Sequence, residues 1–440
     1  MKEESFPGDD DEAIGSSPIQ AGDIHVRGNQ KTLTSFIVNE VDLRQAQTLD
    51  DILEACDYAY MDLKDFGIFD RVDIALQKGA RPGTCDVNID VVEKQPIQVS
   101  AGTEFDSNET SLKLDVLYRN VFGQAESAKL SGSFGTSKSG GFDISYHKPR
   151  LCNSRASLDG SIFMNEVNRS LYSSYILDTQ GISFSVRSPS GSTSIGYTCA
   201  KRDVMAVGNS SRSIARDAHT SVKSAITAMY RADGRDNSIM PTRGSMFSIS
   251  GEVGLPFAGD STFVKVSNDV QYYIPFGKNV TLGFSIKTGI LLPYNFEKTI
   301  KKGPSATSLP DRFSYGGPLL LRGYRYDSIG PHDGNDMLGG DALAAAAANI
   351  TFGFPKTVLQ QFGIRGQAFV NSGSLISLTD GGSSKYHFDK LRLDARNTAG
   401  IGLVIPTAIG RIEANYCWHL NRRDWDRTQS FQLGISTSFL

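Results

Sequence analysis

From about Ile97 to the C-terminus, polar and apolar residues alternate with a period of two. In 279–290 the apolar set is Val280, Leu282, Phe284, Ile286 and Ile290, set against Asn279, Thr281, Gly283, Ser285, Lys287 and Gly289. In 361–371, Phe362, Ile364, Ala368 and Val370 oppose Gln361, Arg365, Gln367 and Asn371. In 408–420, Ile412, Ala414, Tyr416, Trp418 and Leu420 oppose Arg411, Glu413, Asn415, Cys417 and His419. The last segment sets Phe431, Leu433, Ile435 and Phe439 against Gln432, Gly434, Ser436 and Ser438. Each segment is about 10 residues or longer, the length of a tilted membrane-spanning strand. The pattern predicts about 16 strands, near 97–105, 109–119, 126–136, 140–148, 154–165, 178–187, 190–201, 219–230, 243–255, 261–276, 278–290, 342–354, 359–372, 394–406, 408–420 and 428–440. Ala342 to Ala348 favours helix by intrinsic propensity. It is assigned to a strand because it follows Gly339-Gly340 and the alternation resumes at once; a short helix is the alternative.

The stretch before residue 97 has a different rhythm. Ile24 and Val26 alternate, Leu33 to Val41 reads as a short helix, and Thr48 with Asp51 approximates a capping box for a second one. Ile52, Leu53, Cys56, Tyr60 and Leu63 mark its apolar face, and Gly67 ends it. Val72, Ile74 and Leu76, then Cys85, Val87, Ile89 and Val91, form two alternating strands around a Gly79 to Gly83 turn. These elements predict a small β-α-α-β-β domain over 21–95, behind an acidic, polar lead at 1–20 that reads as disordered.

Composition narrows the class. A net charge of -3 gives no support to a nucleic-acid partner. The acidic N-terminus has neither an apolar core nor an Arg-rich amphipathic stretch, so neither a secretory signal nor a matrix presequence is expected. The five cysteines are scattered and suit a reducing or neutral compartment. No run reaches 18 apolar residues, which excludes a transmembrane helix by sequence. A mean hydropathy of -0.24 does not make the chain soluble, because a membrane barrel shows lipid only every second residue. The competing architecture is a large soluble sandwich or propeller. Against it stand the lack of a propeller-length repeat and the charges Arg365, Glu413, Lys265 and Asp269 on the polar faces, which a dry core could not hold unpaired. Six histidines form no metal-like cluster, and no nucleophile elbow, phosphate-binding loop or dinucleotide fingerprint occurs. No catalytic residue, cofactor or metal is expected.

One stretch fits none of the strands. Leu319-Leu320-Leu321-Arg322-Gly323-Tyr324 lies in an irregular segment at about 291–341. A compact domain rarely keeps so long a loop without a use for it. If that loop folds back into a barrel, Arg322 needs a carboxylate or several acceptors. Glu413 is the candidate carboxylate and Asn371 a candidate acceptor, both on lumen-facing positions. The alternative is an ordinary solvated loop arginine.

Leu321-Arg322-Gly323-Tyr324 resembles the sixth-loop signature of the outer-membrane barrel-assembly superfamily. Further matches fall in the expected order. Gly28-Asn29 and Leu63 to Phe69 resemble a polypeptide-transport-associated (POTRA) domain. Arg119-Asn120-Val121-Phe122-Gly123 resembles a run near the start of the barrel. Asp233-Gly234-Arg235-Asp236 with Pro241-Thr242-Arg243-Gly244 resembles a mid-barrel motif, and Gly410 to Tyr416 the late G-R-[IL]-E strand. With one POTRA-like domain and no leader, the chain resembles the mitochondrial sorting and assembly machinery branch.

The resemblance implies an all-β transmembrane barrel of about 16 antiparallel strands over 96–440, preceded by one small α+β POTRA-like domain at 21–95. It implies an insertase, not an enzyme, in the mitochondrial outer membrane with its N-terminal domain in the intermembrane space. It would open a seam between the first and last strands, where Gly102 and Gly434 weaken pairing, and add a precursor's terminal strand there. Implied partners are unfolded β-barrel precursors with a C-terminal β-signal, accessory sorting and assembly machinery subunits (metaxin-like) and the lipid bilayer, with no nucleic acid and no cofactor. Arg322, Gly323, Tyr324, Glu413 and Asn371 would form the loop lock. Many members carry Asp where Phe369-Val370-Asn371-Ser372-Gly373 has Asn371, so Glu413 or backbone acceptors must substitute. The alternative function on the same barrel is a passive pore or polypeptide-translocating channel.

Overall fold

The computed structural model describes residues 19–44, 46–81, 83–105, 110–137, 139–152, 154–256, 258–277, 279–294, 307–354, 361–379, 383–407 and 410–436. The acidic lead at 1–18, part of the irregular loop at 295–306 and the last four residues of the predicted final strand, 437–440, lie outside the described residues.

The N-terminal region is a small α+β unit. Its elements are β1 (Gln20–Arg27), α1 (Thr34–Glu40), α2 (Leu49–Asp65), β2 (Phe69–Lys78) and β3 (Thr84–Glu93). The sheet order is β1-β3-β2, with β1 parallel to β3 and β2 antiparallel to it. Thr48 accepts from the Asp51 N–H while Asp51 accepts from the Thr48 N–H, a reciprocal capping box that satisfies the first turn of α2. Gly67 ends that helix at φ 67°, a left-handed turn that glycine makes without strain. Ile37, Ile52, Ala59, Leu63, Val87 and Ile89 are buried between the helices and the sheet.

The rest of the described chain builds one 16-stranded sheet. Its strands are β4 (Ile97–Phe105), β5 (Thr110–Arg119), β6 (Ser127–Gly135), β7 (Gly140–Lys148), β8 (Ser157–Asn168), β9 (Tyr175–Arg187), β10 (Thr193–Ala206), β11 (Thr220–Asp233), β12 (Gly244–Gly254), β13 (Phe263–Phe276) and β14 (Val280–Pro293). After the two-residue strands β15 (His332–Asp333) and β16 (Asp336–Met337), which pair with each other, come β17 (Ala342–Gly353), β18 (Arg365–Ile376), β19 (Arg396–Thr407), β20 (Gly410–His419) and β21 (Phe431–Ser436). Sequence neighbours pair with sequence neighbours, β14 pairs with β17 across the long loop, and β4 and β21 end the order. The ladders from β9 to β21 are antiparallel.

The sheet is apolar on its exposed face and polar on its enclosed face. On β14, Ile286 is 54% exposed while Ser285, one residue away, is 2% exposed. On β20, Tyr416 and Trp418 are exposed while Glu413 and Asn415 are fully buried. A water-soluble sheet puts its apolar residues inside; this arrangement suits a surface bathed in lipid and a polar interior.

Ala342 to Ala348 is strand throughout, as assigned from the sequence: the ladders to β14 and β18 override alanine's helix propensity, and the small side chain at Ala345 leaves room for the loop. Other elements differ from the sequence reading. The strand predicted at 359–372 starts instead at Arg365 and runs to Ile376, because Gly363 turns the chain at φ 67°. The loop begins after β14 ends at Pro293, not at Leu291. Two short helices, α3 (Arg212–Asp217) and α4 (Ser384–Leu393), carry no periodic apolar face and escaped the pattern.

Ile286 lies mid-strand and Leu292 near a strand end. Ile286→Arg is therefore expected to lower barrel stability in lipid vesicles by about 2–4 kcal/mol, and Leu292→Arg by about 0–1 kcal/mol, measured by denaturant unfolding. Equal small effects at both positions would contradict a lipid-facing row.

Candidate functional site

The long loop is tied to the polar face of the sheet at several points along its described length. At its start, Asp311 accepts from the Arg202 guanidinium at 2.7 and 3.2 Å, and its carbonyl accepts from Lys265 Nζ at 2.8 Å. At its end, Asp341 accepts from Thr307 Oγ1 at 2.5 Å, Ser377 Oγ at 3.0 Å and the Leu378 N–H at 2.9 Å. Between them, Asp336 and Asp333 accept from the Ser211 and Ser213 N–H groups at the start of α3, at 2.7 and 3.0 Å. The loop also brings its own apolar cluster. Tyr315, Leu321, Tyr324 and Ile329 pack on Leu343, Ala345 and Leu375 of β17 and β18. This explains two of the three leucines beside Arg322: Leu321 and Leu320 seat the turn that delivers the charge.

The apex is a tight turn in which the Leu320 and Leu321 N–H groups donate to the Gly317 carbonyl at 3.2 and 3.0 Å. It presents Arg322 to β20. Arg322 and Glu413 are both 0% exposed. Arg322 Nε donates to Glu413 Oε2 at 3.0 Å, and Nη2 donates to Oε2 at 2.8 Å and Oε1 at 3.2 Å. Glu413 also takes Arg411 Nη2 at 2.8 Å, Gln367 Nε2 at 3.2 Å and Asn415 Nδ2 at 3.1 Å. The guanidinium carbon of Arg322 sits 4.9 Å from the centre of the Phe369 ring, a further contact suited to a planar cation. Gly400 makes space for that ring, since a Cβ there would stand 2.4 Å from Phe369 Cζ.

A buried carboxylate with this many donors is compensated only while they all stay in place. Removing one member strands a charge in a site closed to water, at a cost of about 3–5 kcal/mol.

The same apex grips the chain entering the terminal strand. The Gly323 N–H donates to Gln432 Oε1 at 2.7 Å, and Gln432 Nε2 donates to the Tyr324 carbonyl at 2.7 Å. The Gln429 N–H donates to the Gly323 carbonyl at 2.8 Å, and the Arg325 N–H to the Arg427 carbonyl at 2.8 Å. His419 Nε2 lies 2.5 Å from the same Gly323 carbonyl, which can only accept, so Nε2 carries the proton. Tyr324 Oη donates to the Asn421 carbonyl at 2.6 Å, and its ring meets His419 edge-on at 5.4 Å. Burial raises the Tyr324 hydroxyl above its usual range, which keeps it a donor. Gly323 has φ 93°, and a Cβ there would lie 3.1 Å from Cys417 Cβ, His419 Nε2 and Thr398 Cγ2. Glycine is therefore required by both conformation and space.

The structure places Arg322, Gly323, Tyr324 and Glu413 in one cluster. Asn371 is buried beside it, but it serves the main chain: with its amide turned to satisfy both ends, its oxygen accepts from the Arg322 N–H at 3.2 Å and its nitrogen donates to the Val370 carbonyl at 3.1 Å. Gly434 faces inward against the loop, where a Cβ would stand 3.1 Å from Leu319 Cδ2. Gly102 lies on β4, and among the described residues, its chain neighbours aside, no atom comes within 4 Å of its Cβ position. The sequence reading did not single out Arg411, Gln367, Asn415, Phe369, His419 or Gln432. Five of these lie on the polar faces of β18, β20 and β21, so their phase was visible; what they hold depends on strand register and the loop's course.

Arg322→Ala and Glu413→Gln should each destabilise the folded barrel by about 3–5 kcal/mol, read as denaturant midpoints in vesicles. Arg322→Lys keeps the charge but loses the planar fork, so it should fall between them and the native chain. Native stability in Arg322→Lys would show that the bidentate geometry is irrelevant.

A family model described as the Omp85 superfamily domain matches residues 120–439. The sorting and assembly machinery component 50 homolog of Mus musculus is 27% identical over 442 residues, spanning 98% of this chain and 92% of its own length. The SAM50-like protein of Schizosaccharomyces pombe is 28% identical, with 96% of this chain and 91% of that protein covered. Among solved structures, BamA from Haemophilus ducreyi lacking POTRA domains 1-3 matches with TM-score 0.79 at 20% identity, over 94% of this chain and 84% of that one. CdiB from Acinetobacter baumannii matches with TM-score 0.53 at 15% identity, over 94% and 73%. These likenesses show the fold, an all-β transmembrane barrel of 16 antiparallel strands preceded by a small α+β region.

Proposed function

The chain belongs to the Omp85 superfamily, and on that premise we propose that it folds β-barrel precursors and inserts them into the mitochondrial outer membrane. Members of this family are assembly factors and not enzymes, and the chain's relatives over nearly its full length carry the name of the sorting and assembly machinery. The observation that carries the reading is the re-entrant loop. Its apex spends a fully buried ion pair and six main-chain or side-chain hydrogen bonds on holding β20 and the approach to β21. A permanently open channel has no need of such a brace, and a loop filling the interior works against conduction.

In this reading 96–440 is the barrel, with its inward loop at about 291–341, and 21–95 is a POTRA domain in the intermembrane space. Strands β4 and β21 are the two edges of a lateral seam. An incoming precursor strand pairs with an edge by main-chain hydrogen bonds, which give affinity with little demand on side chains. Arg322, Gly323, Tyr324, Glu413 and Asn371 hold one side of that seam in register, and Gly102 and Gly434 keep its edges weakly paired. Accessory subunits of the machinery, metaxin-like, would complete the complex.

Cysteines placed at 97–105 and at 428–440 and oxidised to a disulfide should block insertion of radiolabelled precursors into isolated outer membranes. Reduction should restore it. Undiminished insertion with the strands locked would remove the seam from the mechanism.

A further inference from the structure

A cavity of about 430 Å³ lies beside the terminal strand, outside the ion-pair cluster. Its walls are Leu171, Tyr172, Tyr326 and Leu433, with Arg325 and Arg427 among them. Pro318 and Gln432 connect it to the loop apex and to the inward face of β21.

The charges are unbalanced. None of the lining side chains is acidic. Three acids near in sequence are committed elsewhere: Asp327 faces Arg169 at 3.6 Å, Asp426 holds Arg396 at 3.0 Å and Asp336 holds the Ser211 N–H at 2.7 Å. Arg427 is fixed by donating to the Leu171 and Asn335 carbonyls at 2.8 Å each, which orients its charge without neutralising it. Arg325 is exposed, and among the described residues its guanidinium has neither an ion pair nor a hydrogen bond. Two guanidinium groups with no carboxylate, set among leucine and tyrosine side chains, suit a ligand with a carboxylate and an apolar body.

We propose that this cavity binds a carboxylate carried by an extended peptide lying along β21. The peptide is favoured over a lipid head group because the exposed Gln429, just before the terminal strand, lines the cavity with an amide that matches a peptide backbone, and because Leu433 carries the opening to the strand's edge. The carboxylate is either an acidic side chain or a chain terminus, and Arg325 is its contact. The inference rests on the insertase reading only for the source of the peptide, an incoming precursor; binding itself does not require that reading.

The test uses the full chain in nanodiscs of zwitterionic lipid and fluorescence anisotropy of nine-residue alternating Val/Thr peptides. The peptides end in a free carboxylate, in an amide, or in an amide with one internal Asp. The free-carboxylate or the Asp peptide should bind about tenfold more tightly than the plain amide, the scale of one charge-assisted hydrogen bond. Arg325→Gln should abolish that difference and leave the plain amide unchanged. Arg325 is exposed, so the variant should keep the native denaturant midpoint, measured alongside. A Leu171→Trp reporter should change its emission on adding the carboxylate peptide. Equal binding of all three peptides, or an Arg325→Gln variant that still discriminates, would overturn the proposal. So would loss of peptide binding on adding phosphatidylserine with the discrimination transferred to the lipid. Because no insertion is measured, a failure here leaves the seam disulfide result intact, and the reverse holds too.

Discussion

The buried pair of Arg322 and Glu413 is the constraint on which the interior depends. A guanidinium carried into a closed site on a loop cannot remain there uncompensated, so the loop's path is dictated by where its carboxylate stands. Glu413 stands on β20, and its other lone pairs are taken by Arg411, Gln367 and Asn415. The loop is thereby tied to the next-to-last strand of the sheet. Its two acidic ends, at Asp311 and Asp341, fix the remaining degrees of freedom against β10 and the chain after β18.

That tie has a second consequence. With Arg322 fixed, Gly323 and Tyr324 present main-chain donors and acceptors to 427–432, and Gln432 closes the ring by bonding both. The terminal strand is thus held by its neighbour β20 on one side and by the loop from within. The cost of moving the apex includes both the stranded charge and the lost bonds to the terminal strand. Small shifts at such a junction are resisted until the whole cluster yields.

Much of this was legible in the sequence. The period of two located every strand of the sheet, because a lipid-facing row and a polar row cannot be exchanged without a slip in register. Arg322 was legible as a charge in need of a partner because it stands in a hydrophobic loop segment, and Glu413 as the candidate because it stands on a polar strand face that a dry core could not hold unpaired. Asn371 was legible as buried and polar, but not as an acceptor for a main-chain N–H, since that depends on the height of the apex. Gln432 shared the phase of Gly434 and gave no other sign: its partners are backbone groups, which leave no mark on residue type. The two short helices were missed because neither buries an apolar stripe, α4 in particular having no buried residue.

The loop's ion pair holds the approach to the terminal strand, and hydrogen exchange in Arg322→Lys, in lipid, reads that hold. Amides in 319–325 and 428–436 should lose protection together, while those of β10 to β13 keep it. Unchanged protection in 428–436 alongside a loosened apex would show that the loop and the terminal strand are independent.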